Sequence, residues 1–398
     1  MNPVLRRATA EDLPAISLVD GRSFGYHYTA EDLAAVGKVI EPGRFLLACD
    51  PDDGEILGLT GSWDMTLTLP GGAQLPAPGV TWVAVAATHR RRGILRALMT
   101  EQHRGFVADG LAVSMLTASE GTIYGRFGYG PATVERVVSI DRRRAVLRPD
   151  VPDPGGVRYT DTDGARRHAP QVHRRWSALS PGAVSRSDLW WDGLLRDPDH
   201  HRDGASALFH LVHSDGYVSY RIGQDDVSCQ INDFFAATDE AHAALWRILL
   251  GLDLVETISV GDLPLDDPLP FLLTDPRQVR TTLMPDGLWV RVLDVPAALS
   301  ARRYAVELDV VLQVHDAFLG RGGRFRLRGG PDGAVCEPAD ATADAGIEVR
   351  AVGSLLLGGH RARTLARAGL VTGASPEVLN RLDTAFTAER EPRFATHF

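Results

Sequence analysis

One strand-turn-helix segment constrains this chain of 398 residues more than any other feature. The residues Val83-Ala84-Val85 are typical of a strand, and a short turn leads from them to a helix predicted over 91–106. The first turn of a helix carries unpaired backbone N–H groups and the positive end of the helix dipole, so it favours an anion. Arginines and Gly93 occupy this helix start, and a glycine there lets a ligand approach the backbone closely. The segment therefore predicts an anion-binding site.

A second motif occupies residues 123–130, which read IYGRFGYG. It places the hydroxyl of Tyr124 beside a tight turn of glycines and aromatic residues. Together the two segments resemble the acyl-CoA site of the GCN5-related N-acetyltransferases (GNAT). Within that superfamily the chain is most similar to the Eis (enhanced intracellular survival) family of aminoglycoside N-acetyltransferases. The resemblance covers nearly the whole chain in length and layout, with specific motifs between Val83 and Gly130 and at Phe398.

The resemblance implies that acetyl-CoA is the cosubstrate and that the helix start binds its pyrophosphate. The backbone of the preceding strand would polarise the thioester carbonyl. Most members of the superfamily carry Gly or Ala where this chain has Leu95, and Eis-type sequences share that departure. The cofactor-binding residues implied by the match are Val83, Ala84, Val85, Arg91, Arg92, Gly93, Ile94, Leu95, Arg96, Ser119 and Glu120. The alternative interpretations are a basic surface helix that binds nothing and an ordinary buried strand.

Acetyl transfer from a thioester to an amine requires two proton transfers. A tyrosine hydroxyl has an ordinary pKa of about 10 and a thiol one of about 8.5, so Tyr124 can donate a proton to the departing thiolate. The alternative is a structural tyrosine packed in the turn, as we expect for Tyr129. No His or Glu of the first domain stands at an obvious base position. The resemblance supplies a candidate base, the α-carboxylate of the final residue, Phe398, inserted back into the first domain.

Phe24 and Trp82 match aromatic positions of the acceptor pocket in the family. Other members carry an acidic residue beside the terminal Phe, where this chain has His397. The resemblance therefore implies N-acetylation of aminoglycosides or other polyamine-like amines. Two further functions stay open. One is acetylation of protein lysines or small amines, and the other is ligand or lipid binding by a protein with a vestigial acetyltransferase site.

Composition restricts the function classes. The net charge of −9 argues against a general nucleic-acid binder and suits a cationic substrate. No apolar run approaches the ~18 residues of a membrane span, and acidic residues near the start, Glu11 and Asp12, leave no room for a secretory signal. The cysteines are few and widely spaced, which suits a reducing compartment: Cys49, Cys229 and Cys336. We therefore expect a cytoplasmic protein, and the resemblance implies a homohexamer.

A metal site is not expected. The segment Asp199-His200-His201-Arg202-Asp203 contains metal-capable groups, but adjacent histidines on a loop flanked by proline seldom converge on one ion. Lys38 is the only lysine, which argues against a mechanism through a Schiff-base lysine.

The pattern of elements predicts an α/β (α+β) protein with tandem GNAT-like domains followed by a sterol-carrier-like α/β domain. The predicted boundaries are 1–142 for the N-terminal GNAT domain, 157–287 for a second domain and 288–398 for the sterol-carrier-like domain, whose C-terminus would enter the active site. An arginine-, proline- and glycine-rich linker separates the first two. The main helix of the second domain, predicted from Thr238 to Gly251, follows no Arg-x-x-Gly motif, so we expect a degenerate GNAT domain without its own cofactor. An unrelated α/β domain is the alternative.

Overall fold

The computed structural model describes residues 3–398. In the N-terminal part, strands and helices alternate around one large sheet. The strands are β1 Val4–Arg7, β2 Leu46–Cys49, β3 Ile56–Trp63, β4 Thr66–Thr68, β5 Gln74–Pro76, β6 Gly79–Val85, β7 Val113–Thr117, β8 Gly130–Pro131 and β9 Arg136–Asp141. The helices are α1 Leu13–Phe24, α2 Ala30–Val39 and α3 Ile94–Ala108. The helix predicted over 91–106 is thus confirmed, with its first turn shifted to Ile94.

The middle part repeats this alternation. Its strands are β10 Arg158–Thr160, β11 Phe209–His213, β12 Gly216–Ile222, β13 Ser228–Ala236, β14 Thr257–Leu263 and β15 Val279–Leu283. Its helices are α4 Thr162–Ser177, α5 Asp188–Arg196, α6 Asp239–Leu250 and α7 Leu269–Leu272. The predicted start of α6 is confirmed, because the side chain of Thr238 accepts a hydrogen bond from the backbone N–H of Ala241.

The C-terminal part contains the remaining elements. Its strands are β16 Leu288–Val292, β17 Leu308–His315, β18 Gly323–Gly330, β19 Gly333–Pro338, β20 Ala345–Glu348 and β21 Val371–Thr372. Its helices are α8 Val295–Ser300, α9 Val349–Leu356, α10 Ala362–Arg367 and α11 Pro376–Phe386. No helix within residues 3–398 combines the length and the apolar character that a membrane crossing needs.

Three larger sheets and one two-stranded ribbon organise these strands. The first sheet has the order β1-β2-β3-β6-β7-β16-β8, the second β10-β11-β12-β13-β14-β9-β15, and the third β19-β18-β17-β20-β21. The strands β4 and β5 form the ribbon. The predicted order of two related α/β units followed by a different one therefore agrees with the sheets.

Two strands pair outside the domain that the sequence predicts for them. Strand β9, expected to close the first domain, lies between β14 and β15 in the second sheet. Strand β16, expected to open the third domain, pairs antiparallel with β7 in the first sheet. The reason is packing: Val138 and Ile140 of β9 are buried in the core of the second sheet. Local sequence predicts that such segments are strands but not which strands they pair with, because an apolar strand can pack in several sheets.

Candidate active site

A bulge deforms strand β6 where the cofactor is expected. Leu59 of β3 pairs with Ala84, but two positions further along β3 Gly61 pairs with Thr81, so β6 carries one extra residue between these pairs. Trp82 lies in this bulge with a positive φ of 50°. Beside the bulge, β6 and β7 are paired only at Gly79 and Met115 within the described chain. The two parallel strands therefore splay apart, and the edge of β6 over residues 83–85 faces an opening rather than a neighbouring strand.

The start of α3 faces the same opening. Arg91 and Gly93 both adopt left-handed backbone conformations, with φ values of 63° and 84°. The capping residue is Gly93, and no side chain among residues 3–398 accepts the free N–H groups of the first turn. A Cβ at Gly93 would meet nothing within 4 Å, so this face of the glycine is open. The positive φ explains why a glycine is favoured at this position, and the open helix end can bind an anion.

A cavity of about 430 Å³ joins the strand edge, the helix start and the tyrosine motif. Most of the predicted cofactor residues line it, namely Val83, Ala84, Val85, Arg91, Gly93, Ile94, Leu95, Arg96, Ser119 and Glu120. Tyr124 and Phe24 line it as well, whereas Arg92 does not. Residues that the sequence did not single out complete the wall, namely Ser23, His89, Arg90, Ile123, Arg126 and Phe127. Arg90 and Arg126 lie inside the motifs, so their proximity to the predicted residues could have identified them.

The charge of this cavity suits an anionic ligand. Four arginines line it, at positions 90, 91, 96 and 126, against one carboxylate, that of Glu120.

The C-terminal part of the chain packs on the outside of the cavity wall. Phe318 packs on Phe127 with ring centroids 5.0 Å apart, and the centre of its ring lies 5.7 Å from the guanidinium carbon of Arg96. Sequence could not reveal Phe318, since it approaches only through the tertiary fold.

Tyr124 begins a 3-10 turn, Tyr124–Phe127, in the wall of the cavity. Its side chain is buried, and burial together with the nearby charge of Glu120 raises the pKa of the hydroxyl to about 12. The hydroxyl thus stays protonated throughout the neutral range and can act as an acid. Tyr129 differs, because its hydroxyl contacts His103 Nε2 and Ser114 Oγ at 2.9 Å each. The structural role expected for Tyr129 agrees with its complete burial.

The C-terminal residue enters the gap between the splayed strands. Thr117 Oγ1, at the end of β7, donates a hydrogen bond to the terminal carboxylate of Phe398 at 3.2 Å. The ring of Phe398 packs against Gly79, where a Cβ would lie 2.7 Å from a ring carbon. It also meets Phe394 edge-on, with ring centroids 5.6 Å apart. The glycine at the point where β6 and β7 separate is therefore what leaves room for this ring.

Two arginines of different domains anchor the segment that leads to this terminus. Arg186 donates to Thr396 Oγ1 at 2.9 Å and pairs with Asp233, which is itself held in the second domain. Arg393 pairs with Asp262 at 2.9 Å and donates to a backbone carbonyl of β13. Both guanidiniums are nearly buried, so they hold the C-terminal segment at a defined position. Residues of the second domain thereby hold the C-terminal segment of the third domain, whose last residue contacts the first domain.

The comparisons with known proteins agree with this architecture. Residues 4–132 and residues 182–292 each match an acetyltransferase (GNAT) domain, and residues 295–395 match a sterol carrier protein domain. The chain is 40% identical, over all of both sequences, to the N-acetyltransferase Eis of Mycobacterium tuberculosis.

The chain belongs to the Eis family of N-acetyltransferases.

Its fold agrees with solved members. The structure of Eis1 from Mycobacterium abscessus aligns with a TM-score of 0.89 at 34% identity, covering 99% of this chain and 100% of that one. A GCN5-related N-acetyltransferase from Kribbella flavida aligns with a TM-score of 0.82 at 25% identity, covering 99% and 100%. An uncharacterised N-acetyltransferase of Streptomyces coelicolor is 38% identical over 85% of this chain and 86% of its own. This Eis-family chain is thus an N-acetyltransferase with two GNAT domains and a sterol-carrier-like domain.

The structure places the two aromatic residues that were predicted to bind the acceptor, Phe24 and Trp82, in different surroundings. Phe24, at the end of α1, is 47% exposed and lines the cavity. Trp82 does not line it; its ring stacks on Tyr28 with centroids 5.7 Å apart. Tyr28 in turn donates a hydrogen bond to Asp20, a buried carboxylate whose pKa is raised chiefly by burial. The bulge and this stack therefore hold Trp82 firmly, a detail that sequence reasoning missed.

His397 lies beside a carboxylate that sequence reasoning also missed. Its Nε2 atom is 3.5 Å from Oε1 of Glu135, a buried oxygen without a hydrogen-bond partner among the described residues. Burial, with smaller contributions from the charges of Asp262 and Asp286, raises the pKa of Glu135 to about 7. Although His397 stands where other family members carry an acidic residue, the fold places a carboxylate beside it. Glu135 directly precedes β9, and its backbone N–H donates to the carbonyl of Pro285, a contact that the sequence does not indicate.

This raised pKa predicts a pH-dependent stability. The folded protein binds the proton of Glu135 more tightly than the unfolded chain does. The resulting contribution to the free energy of unfolding is complete below pH 4.5 and is lost as the pH rises to about 7. At ~1.36 kcal/mol per pKa unit, burial of the charged form costs about 3 kcal/mol. We expect Glu135→Gln to melt progressively higher than the wild type as the pH rises through this interval. Parallel melting curves of the two proteins between pH 5 and 8 would contradict the assignment.

The histidines of residues 199–203 contact a carboxylate that the sequence does not indicate. The Nε2 atoms of His200 and His201 both lie within 3.3 Å of an oxygen of Asp32. The convergence arises because α5 packs against α2, which brings a carboxylate of the first domain to the histidines of the second. Spacing along the chain gives no signal for a partner more than 160 residues away.

Proposed function

We propose that this Eis-family enzyme transfers the acetyl group of acetyl-CoA to amines of aminoglycosides or other polyamine-like acceptors. Acetyl-CoA is the donor that GNAT acetyltransferases use. The observation that carries the proposal is the single cavity that joins the open start of α3, the splayed edge of β6 and Tyr124.

In this mechanism the helix start and its arginines bind the CoA pyrophosphate, and the exposed N–H groups of β6 polarise the thioester carbonyl. The amine attacks that carbonyl, a C–N bond forms and the C–S bond breaks. Tyr124 donates its proton to the departing thiolate. The carboxylate of Phe398 accepts the proton that the ammonium loses before the attack, directly or through water. The second proton, which the nitrogen loses as the amide forms, replaces the one that Tyr124 has given to the sulfur.

The acceptor is expected to be cationic. The last two residues bring acidic groups together with the first domain: Phe398 carries the terminal carboxylate, and His397 contacts the carboxylate of Glu135. The net charge of the whole chain is −9. His397 stands beside the terminal Phe, where other family members carry an acidic residue. We therefore expect weaker binding of highly charged aminoglycosides than of simpler polyamines. Assembly as a homohexamer and a cytoplasmic location stay predictions from the family resemblance.

The donor site is tested by changing Gly93 to Asp and, as a matched control, to Asn. Both side chains point into open space and Asn tolerates a positive φ, so the pair differs mainly in charge. We expect Gly93→Asp to weaken acetyl-CoA binding by at least ~10-fold more than Gly93→Asn, because its carboxylate repels the pyrophosphate. Isothermal titration calorimetry measures both affinities. Equal affinities in the two variants would place the pyrophosphate elsewhere.

The acceptor class is tested by the rate of CoA release with polyamines, aminoglycosides and lysine peptides. Release that is fastest with polyamines or aminoglycosides supports the proposal. Release with lysine peptides alone would instead establish a protein-lysine acetyltransferase.

A further inference from the structure

Two imidazoles and one carboxylate form a cluster between the first two domains. Asp32 belongs to α2 of the first domain, and His200 and His201 belong to the 3-10 turn Asp199–His201 of the second. None of the three lines the acyl-CoA cavity. The established acetyl transfer therefore leaves this cluster without a role.

The spacing of the ligand atoms suits a tetrahedral metal ion. His200 Nε2 lies 3.2 Å from each oxygen of Asp32, and His201 Nε2 lies 3.3 Å from Oδ1. A zinc ion with bonds of ~2.0–2.2 Å to nitrogen and oxygen holds neighbouring ligand atoms roughly 3.3 Å apart. All three ligand atoms also lie within 4.8 Å of one another. The two nitrogen-to-carboxylate distances are thus those of adjacent corners of one coordination sphere.

The carboxylate is held by a second layer of contacts. Asp32 Oδ2 accepts hydrogen bonds from the hydroxyl and the backbone N–H of Thr29, at 2.7 and 3.2 Å. Such outer contacts orient a metal ligand and fix which oxygen faces the ion. The Asp32 side chain is only 11% exposed, whereas the histidines are 36% and 52% exposed. An ion can therefore enter from the histidine side, where water can complete its coordination.

One cation already competes for this carboxylate. Arg196 Nη2 donates to Asp32 Oδ1 at 2.9 Å. The same guanidinium also reaches the carboxylate of Glu31, through Nη1 at 3.1 Å. Arg196 can therefore keep one acidic partner when Oδ1 turns to a metal ion, although its charge lowers the affinity for that ion.

We propose that Asp32, His200 and His201 bind a divalent transition metal of the zinc type, with water as the remaining ligand. Two imidazole nitrogens and one carboxylate oxygen suit zinc, copper(II) or nickel(II) better than calcium or magnesium, which prefer oxygen ligands alone. The ion ties α2 to the second domain. It stabilises the contact between the two domains and takes no part in acetyl transfer.

The test is calorimetric titration of the full-length, chelator-treated protein with zinc chloride. We expect one zinc ion per chain, an affinity at least ~10-fold weaker in His200→Ala and in His201→Ala, and a tighter affinity in Arg196→Gln. His315→Ala, which removes an exposed histidine of the third domain, serves as the matched control and should bind like the wild type.

Two further readouts make the result decisive. Zinc should raise the melting temperature of the wild type and of His315→Ala but not of His200→Ala, while acetyl-CoA binding stays the same in all three. Absence of saturable binding up to 100-fold excess zinc over protein would overturn the proposal. Unchanged zinc affinity in both histidine variants would overturn it equally, and neither outcome affects the proposed acetyl transfer.

Discussion

Tyr124→Phe is expected to lower kcat by ~10²–10⁴-fold with little change in the affinity for acetyl-CoA. Tyr124 lines the cavity proposed for the donor, and the pKa of its hydroxyl is raised to about 12, so the hydroxyl still carries its proton when the thiolate leaves. Removing it affects the transition state rather than the bound ground state. Steady-state kinetics and calorimetry with acetyl-CoA measure the two effects separately.

Tyr129→Phe is the matched control. It removes a hydroxyl that contacts buried His103 and Ser114, so we expect a loss of about 1–3 kcal/mol in stability with turnover retained in the folded protein. Full turnover in Tyr124→Phe would show that this tyrosine is structural as well, and that water or another acid protonates the sulfur.

Changes at the C-terminus are expected to have the second large effect. Adding one glycine after Phe398 converts its carboxylate into a neutral amide at the position where Thr117 Oγ1 now donates. Since a displacement of ~1 Å can cost ~10²-fold, we expect acetylation to fall by at least that factor. Deleting Phe398 should also fail, because it withdraws the carboxylate and removes the ring that packs on Gly79.

An N-terminal tag provides the control for added residues, and acetyl-CoA binding should be unchanged in every form. Acetylation rates of the native, extended and truncated chains decide the matter. If the extended protein binds acetyl-CoA and acetylates at the native rate, the terminal carboxylate has no catalytic role. Glu135, which has a pKa of about 7 and lies near the chain terminus, would then be the first base to examine.

Much of the proposed donor site could be predicted because it is local. The strand, the turn and the helix start follow one another between Val83 and Arg96, and these residues line one cavity. The positive φ at Gly93 and the exposed first turn of α3 depend on nearby residues, so a sequence pattern can predict them. The positive φ of Trp82 was not predictable in the same way, because the bulge depends on pairing with β3.

Patterns of neighbouring residues were enough to predict the succession of elements, the open start of α3, the proposed acid Tyr124 and the family. The partners of β9 and β16, the position of Phe398 between the splayed strands and the contact of Asp32 with His200 could be found only from the folded chain. The two groups differ in how far apart along the chain the interacting residues lie. Helix starts, turns and strand character arise from neighbouring residues, whereas strand partners and converging side chains are selected by packing free energy summed over residues distant in the chain.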